Sequence, residues 1–176
     1  MSAAVGQPAP SAQLPDTDGT VHSLGAQEGT PATVVVFTCN HCPYALAWHD
    51  RLVDAARDYA DHGVRFLMVN SNDADRYPRD SYAAMQARVA EEDWPFPYLH
   101  DESQEVARDF EATTTPDVFV LDDAGILRYR GAPDGDHADP GQRAAWVREA
   151  LDDLLAGLEV VRAQTEPVGC SVKWCE

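Results

Sequence analysis

The chain is poor in lysine. Lys173 is the only one, and with twelve arginines it faces thirty acidic side chains, for a formal net charge of -17 and a pI near 4.5. A surface of that sign repels polyanions, which argues against nucleic acid and anionic membranes as partners. The acidity describes a solvated surface and the host's chemistry rather than an activity. Also missing is any run of about 18 apolar residues, the length a membrane-spanning helix needs. The opening stretch "MSAAVGQPAPSAQLPDTDG" has neither the basic nor the apolar region of a leader peptide. The chain is therefore expected to be soluble and cytoplasmic, with no membrane partner.

Cysteine is scarce too. Four in 176 residues, spaced as Cys39/Cys42 and Cys170/Cys175, are too few for the disulfide framework of a small secreted domain. In a reducing compartment such pairs are catalytic or metal-binding more often than structural. The length suits one domain with a sizeable core, and no internal repeat or low-complexity tract argues for more. The expected division is a folded domain over 1–160 and a C-terminal tail over 161–176 that carries "GCSVKWC".

What is present alternates in period. The turn "DTDGT", flanked by Val21 and Leu24, predicts an N-terminal β-hairpin. "ATVVVFT" (32–38) is a β-branched run suited to a strand buried on both faces. "YALAWHDRLVDAARDYADHG" (44–63) spaces Leu46, Leu52, Val53, Ala56 and Tyr59 helically and stops at Gly63. "VRFLMVN" (64–70) reads as the next strand, and 81–92 and 104–112 as helices. "VFVLD" and "ILRYRG" form a hairpin around Gly125, and a loop over 132–141 leads into the amphipathic helix "QRAAWVREALDDLLAGL". This order predicts a three-layer α/β/α sandwich around a central mixed sheet. The tail has no helical period and is expected to run along the surface.

The first cysteine pair falls at a strand-to-helix junction. There, unpaired N–H groups and the helix dipole favour a thiolate, and cysteine pKa values in C-x-x-C motifs run from about 3.5 to 7.5. In "CNHC" the order along the chain makes Cys39 the exposed attacker and Cys42 the resolving thiol. His41, inside the ring, would stabilise the Cys39 thiolate when protonated, whereas His49 reads as a helix-surface residue.

Strand, C-x-x-C, helix and the later "TTTPDVFVLDDAGILRYRG" resemble the thioredoxin superfamily, which implies that fold, with a cis proline at Thr115-Pro116 facing the thiols. More closely, "GQPAP", "CNHCPY", the "TTTPD" segment and "TEPVGCSVKW" resemble its peroxiredoxin-like branch, the alkyl hydroperoxide reductase/thiol-specific antioxidant or redoxin type. The resemblance implies an antioxidant or disulfide-exchanging enzyme with no cofactor. Its partners would be protein or small-molecule disulfides or hydroperoxides, and a thiol reductant. It also marks Thr38, Asn40, His41, Pro43, Thr115 and Pro116 as tuning or substrate-facing residues around Cys39 and Cys42.

Two departures bear on the chemistry. Cys42-Pro43 aligns with the peroxidatic cysteine of true peroxiredoxins, but the branch's proline and activating arginine are replaced by Val35 and "ATTTPD". The tryptophan and buried aspartate of thioredoxin are Thr38 and Thr33. Disulfide exchange therefore ranks above peroxide reduction, which needs donors aimed at the leaving oxygen. If peroxide is the substrate, Cys42 is peroxidatic and Cys39 or Cys170 resolves.

Cys170 is the candidate resolving thiol in the tail. The competing reading is that Val168, Val172 and Trp174 merely anchor the tail and Cys170 packs as a small hydrophobe. A binding module of another class also fits the spacing: four-sulfur zinc from all four cysteines, or copper held by Cys39, Cys42 and a histidine such as His100 or His137.

Overall fold

The computed structural model describes residues 3–176. Gln13–Pro15 (β1) and Val21–Ser23 (β2) pair antiparallel. Their turn is fixed by Asp16, whose carboxylate accepts the N–H groups of Asp18 (2.8 Å) and Thr20 (3.0 Å). This is the hairpin expected around "DTDGT".

Ala32–Phe37 (β3) has all six side chains buried. Alternate residues point to opposite faces of a strand, so Val34 and Val36 enter one core, while Val35 and Phe37 enter the other. β3 pairs parallel with Arg65–Asn70 (β4), which pairs parallel with Tyr98–His100 (β5). On its other side β3 pairs antiparallel with Asp117–Asp122 (β7), which follows the short strand Thr114–Thr115 (β6), and β7 pairs antiparallel with Leu127–Gly131 (β8). The sheet order is β5-β4-β3-β7-β8.

Four helices cover this sheet. Pro43–Ala60 (α1), Tyr82–Glu91 (α2) and Ala145–Leu155 (α4) feed the core on one face through residues such as Leu52, Met85 and Val147. The β1–β2 hairpin and Glu105–Asp109 (α3) close the other through Leu14, Leu24 and Val106. The result is the expected α/β/α sandwich with a mixed sheet.

The sequence pattern misses β5, whose three residues lie in "PFPYLH", too short for a period and next to two prolines. The last helix starts later than its apolar pattern, at Ala145, because Arg143 and Ala144 are left-handed (φ 56° and 54°) after a 3-10 turn capped by Asp139. The tail does more than follow the surface. Cys170–Ser171 (β9) pairs antiparallel with β6, and Val172 is buried.

Candidate active site

β3 hands its chain directly to the cysteine loop. The Thr38 N–H still donates to the sheet, at Val69 O (2.8 Å), and α1 then starts at Pro43 with Cys42 as N-cap. Proline is suited to that first position because it needs no N–H partner there. Cys39 and Cys42 pack with Ala45, and Tyr44 and Cys170 pack against them.

Across the cysteines lies the segment before β7, where the Thr115-Pro116 bond is cis. Cys42 Sγ donates to the Thr115 carbonyl (3.1 Å), and Cys39 Sγ lies 3.4 Å from Thr115 Oγ1. Thr115 and Pro116 are buried, while Pro43 is exposed at the rim.

The loop is fastened to a fully buried carboxylate that the sequence did not single out. Asp80 Oδ1 accepts the Asn40 N–H (2.7 Å) and Asn70 Nδ2 (3.2 Å), and Oδ2 accepts Asn72 Nδ2 (3.1 Å) and lies 2.5 Å from His41 Nδ1. The Asn40 side chain donates to Arg79 O (2.8 Å) and accepts from Tyr98 Oη (2.8 Å) and Arg88 Nη1 (3.1 Å). The His41 ring is stacked on Tyr77, with centroids 5.6 Å apart. Asp80 sits in a polar stretch with no period, which is why no sequence signal marks it.

On the opposite side, the 132–141 loop is tied to α1 by Asp134. Its carboxylate accepts Trp48 Nε1 (2.8 Å), Arg51 Nη1 (3.0 Å to Oδ2), Asp136 N (3.1 Å) and Ala144 N (2.8 Å). This brings the His137 ring to 4.4 Å from that of Tyr44, beside the thiols.

Two expectations are corrected here. Cys39 is not exposed: it and Cys42 both have 0% relative exposure, because Thr115, Ala45 and their neighbours close over them. His49 is not a helix-surface residue either. Trp94 (4.6 Å between centroids) and Phe96 (6.0 Å) cover it, and burial lowers its pKa to about 4.

Contact between the two thiols shifts their pKa values in opposite directions. The Cys39 pKa is pushed up, first by its contact with Cys42, then by burial and the Asp80 charge. The Cys42 pKa is pulled down, first by the Cys39 thiol and, against the cost of burial, by the Cys170 thiol, the Ala45 N–H and Thr115. The Thr115 carbonyl, which accepts a hydrogen bond from the Cys42 thiol, favours its neutral form. The thiol whose pKa is lowered is the helix N-cap residue, where the N–H groups point.

The metal readings find little support. Cys175 is exposed, and among the described residues the four cysteines form no ligand-spaced group. The group that does is Cys39, His41 and Asp80, with ligand atoms within 4.8 Å of one another. Asp80 already accepts three N–H bonds there, so its oxygens serve the loop. Neither His100, stacked on Tyr82, nor His137 joins such a group.

The AhpC/TSA family model matches residues 5–130. No curated protein matches the chain. Among solved structures, an uncharacterised conserved protein from Geobacillus kaustophilus is 39% identical, with a TM-score of 0.91 over 98% of this chain and 93% of that one. A hypothetical protein from Sinorhizobium meliloti is 35% identical, with a TM-score of 0.90 over 98% and 95%. The peroxidoxin BcpB from Mycobacterium tuberculosis is 18% identical, with a TM-score of 0.63 over 90% and 97%, and shares the fold. The chain belongs to the AhpC/TSA family, and its function is thiol-based redox chemistry.

Proposed function

We propose that the protein is a thiol–disulfide oxidoreductase whose redox centre is the Cys39/Cys42 pair. The observation that carries this reading is two thiols packed together at a helix start and facing Thr115, with the pKa of Cys42 lowered and that of Cys39 raised by their contact. The Cys42 thiolate attacks one sulfur of a substrate disulfide and expels the other as a thiolate. Cys39 then gives up its proton to the leaving sulfur and attacks Cys42 Sγ. The first substrate sulfur leaves as a thiol and the second, expelled from Cys42 Sγ, as a thiolate that takes its proton from water; two electrons have passed to the substrate, and a Cys39–Cys42 disulfide remains for a thiol reductant. Order along the chain assigns the attack to Cys39 and the resolution to Cys42; the lowered pKa of Cys42 favours the reverse. The substrates are protein or small-molecule disulfides, met in the reducing cytoplasm.

Peroxide reduction is the second reading, favoured by the Cys42 thiolate beside Pro43. Against it, the guanidinium bonded to this loop, Arg88, contacts the Cys39 carbonyl (3.3 Å) and Asn40 rather than a sulfur. A peroxide oxygen at Cys42 would lack the cation that disperses its charge.

The test compares steady-state reduction of insulin and of oxidised glutathione with consumption of hydrogen peroxide. Cys42→Ser should abolish all three reactions, and Cys39→Ser combined with Cys170→Ser should stop turnover with substrate trapped on Cys42. Full disulfide turnover in either variant would overturn the assignment, and faster peroxide than disulfide turnover in the wild type would replace it with the peroxidase.

A further inference from the structure

We propose that Cys170 is a third redox thiol of this centre, presented by the C-terminal strand as a built-in substrate, and that it forms a disulfide with Cys42. This rests on the Cys39/Cys42 reading and deepens it.

Buried side chains hold the tail in place. Lys173 N donates to Asn72 Oδ1 (2.9 Å), and Lys173 O accepts Asp73 N (2.8 Å) and Gln104 Nε2 (2.8 Å). Cys175 N donates to Gln104 Oε1 (2.9 Å), and Val172 N to Thr113 O (3.1 Å). Gln104 is 1% exposed and Asn72 6%, so two amides of the folded core are committed to this segment. A buried amide without partners is costly, which ties the docked tail to the integrity of the core.

The register aims Cys170 at the thiols. It is opposite Thr115 in the β6–β9 pair, and directly opposed side chains in an antiparallel pair share a face. Thr115 Oγ1 lies 3.4 Å from Cys39 Sγ on that face, and Cys170 packs against the cluster formed by Cys39, Cys42 and Ala45. Proximity of the Cys170 thiol helps to lower the Cys42 pKa. The preceding residue permits the approach, since a Cβ on Gly169 would stand 2.2 Å from the Thr115 carbonyl oxygen. β9 therefore fills the strand edge beside the dithiol that an extended substrate chain would use. Cys175, exposed and flanked by Asp73, has no such setting.

The step is an exchange with no net redox change. The Cys170 thiolate attacks Cys42 Sγ of the Cys39–Cys42 disulfide. The Cys42–Cys170 bond forms, the Cys39–Cys42 bond breaks, and Cys39 leaves as a thiolate and takes up the proton that Cys170 lost. The oxidising equivalent moves from fully buried Cys39 to half-buried Cys170, where a thiol reductant can reach it.

Cys39→Ser treated with one equivalent of oxidised glutathione, alkylated and mapped by peptide mass spectrometry tests this. Cys42 should first carry glutathione and then pass to a Cys42–Cys170 disulfide. A tethered thiol acts at millimolar effective concentration, so closure should exceed the glutathione adduct on the order of a hundredfold at micromolar protein. Adding Cys170→Ser should leave the glutathione adduct in place, and Cys175→Ser should change nothing. In an otherwise wild-type chain, Gly169→Val should abolish the Cys42–Cys170 disulfide while Cys39–Cys42 still forms. A lasting adduct on Cys42 with Cys170 still alkylatable would overturn the inference alone. Cys42 free of both adduct and disulfide would overturn the redox centre with it.

Discussion

Asp117→Asn and His49→Phe should tilt the pH dependence of stability in opposite directions. Asp117 is fully buried at the start of β7, with one carboxylate oxygen accepting Thr113 N (3.0 Å) and the other unpartnered. Burial raises its pKa from 3.8 to about 6. A carboxyl raised in the folded state stabilises the fold fully below 3.8, and that contribution is lost as pH rises through about 6. At about 1.36 kcal/mol per pH unit, the gap amounts to about 3 kcal/mol. His49 has the opposite sign. Burial, with the Arg88 charge adding, lowers its pKa from 6.5 to about 4. Its stabilisation is present above 6.5 and is lost as pH falls through about 4, again about 3 kcal/mol. In the wild type the two groups oppose each other across this window, and each variant exposes the slope of the other. Urea unfolding between about pH 3 and 7.5 measures this as wild-type stability minus variant stability. For Asp117→Asn the difference should fall by about 3 kcal/mol as pH rises, and for His49→Phe it should rise by about as much. Differences flat to within about 0.5 kcal/mol would refute the burial argument for both groups.

Asp134→Ala strands buried Arg51 and frees Trp48 Nε1 and Ala144 N. Calorimetry should show a loss of about 3–5 kcal/mol, as for other broken buried pairs. Arg57→Ala removes only an exposed pair with Asp93 and should cost less than about 1 kcal/mol in the same experiment. Asp80→Ala orphans the Asn40 N–H and two buried amides; it should destabilise by at least about 2 kcal/mol. Because the Asp80 charge helps to raise the Cys39 pKa, the same variant should speed alkylation of Cys39 near neutral pH, read by peptide mass spectrometry.

What was legible in the sequence was what local pattern encodes. "ATVVVFT" and "VRFLMVN" are apolar enough to define the central strands, and Gly125 (φ 79°) marks the β7–β8 turn. The C-x-x-C pair was legible for the same reason, since its chemistry depends on a junction between two readable elements. Contacts made across the chain left no local trace. Leu46, placed on the apolar stripe of α1, is 44% exposed, whereas His49 one turn on is buried by Trp94 and Phe96. Asp80 and Asp134 look like loop acids until Asn40 and Arg51 are brought to them. The exposure expected of Cys39 failed similarly, because what covers it arrives from β6 and the tail.

The most direct measurement is equilibration of the reduced wild type with oxidised and reduced glutathione at varied ratio, followed by acid quench, alkylation and mapping of every cysteine. Cys42 should lose its thiol over a single two-electron transition, with Cys42 in every protein disulfide formed and its partner either Cys39 or Cys170. Cys39 and Cys42 both still alkylatable after Cys170 and Cys175 have oxidised would contradict the account.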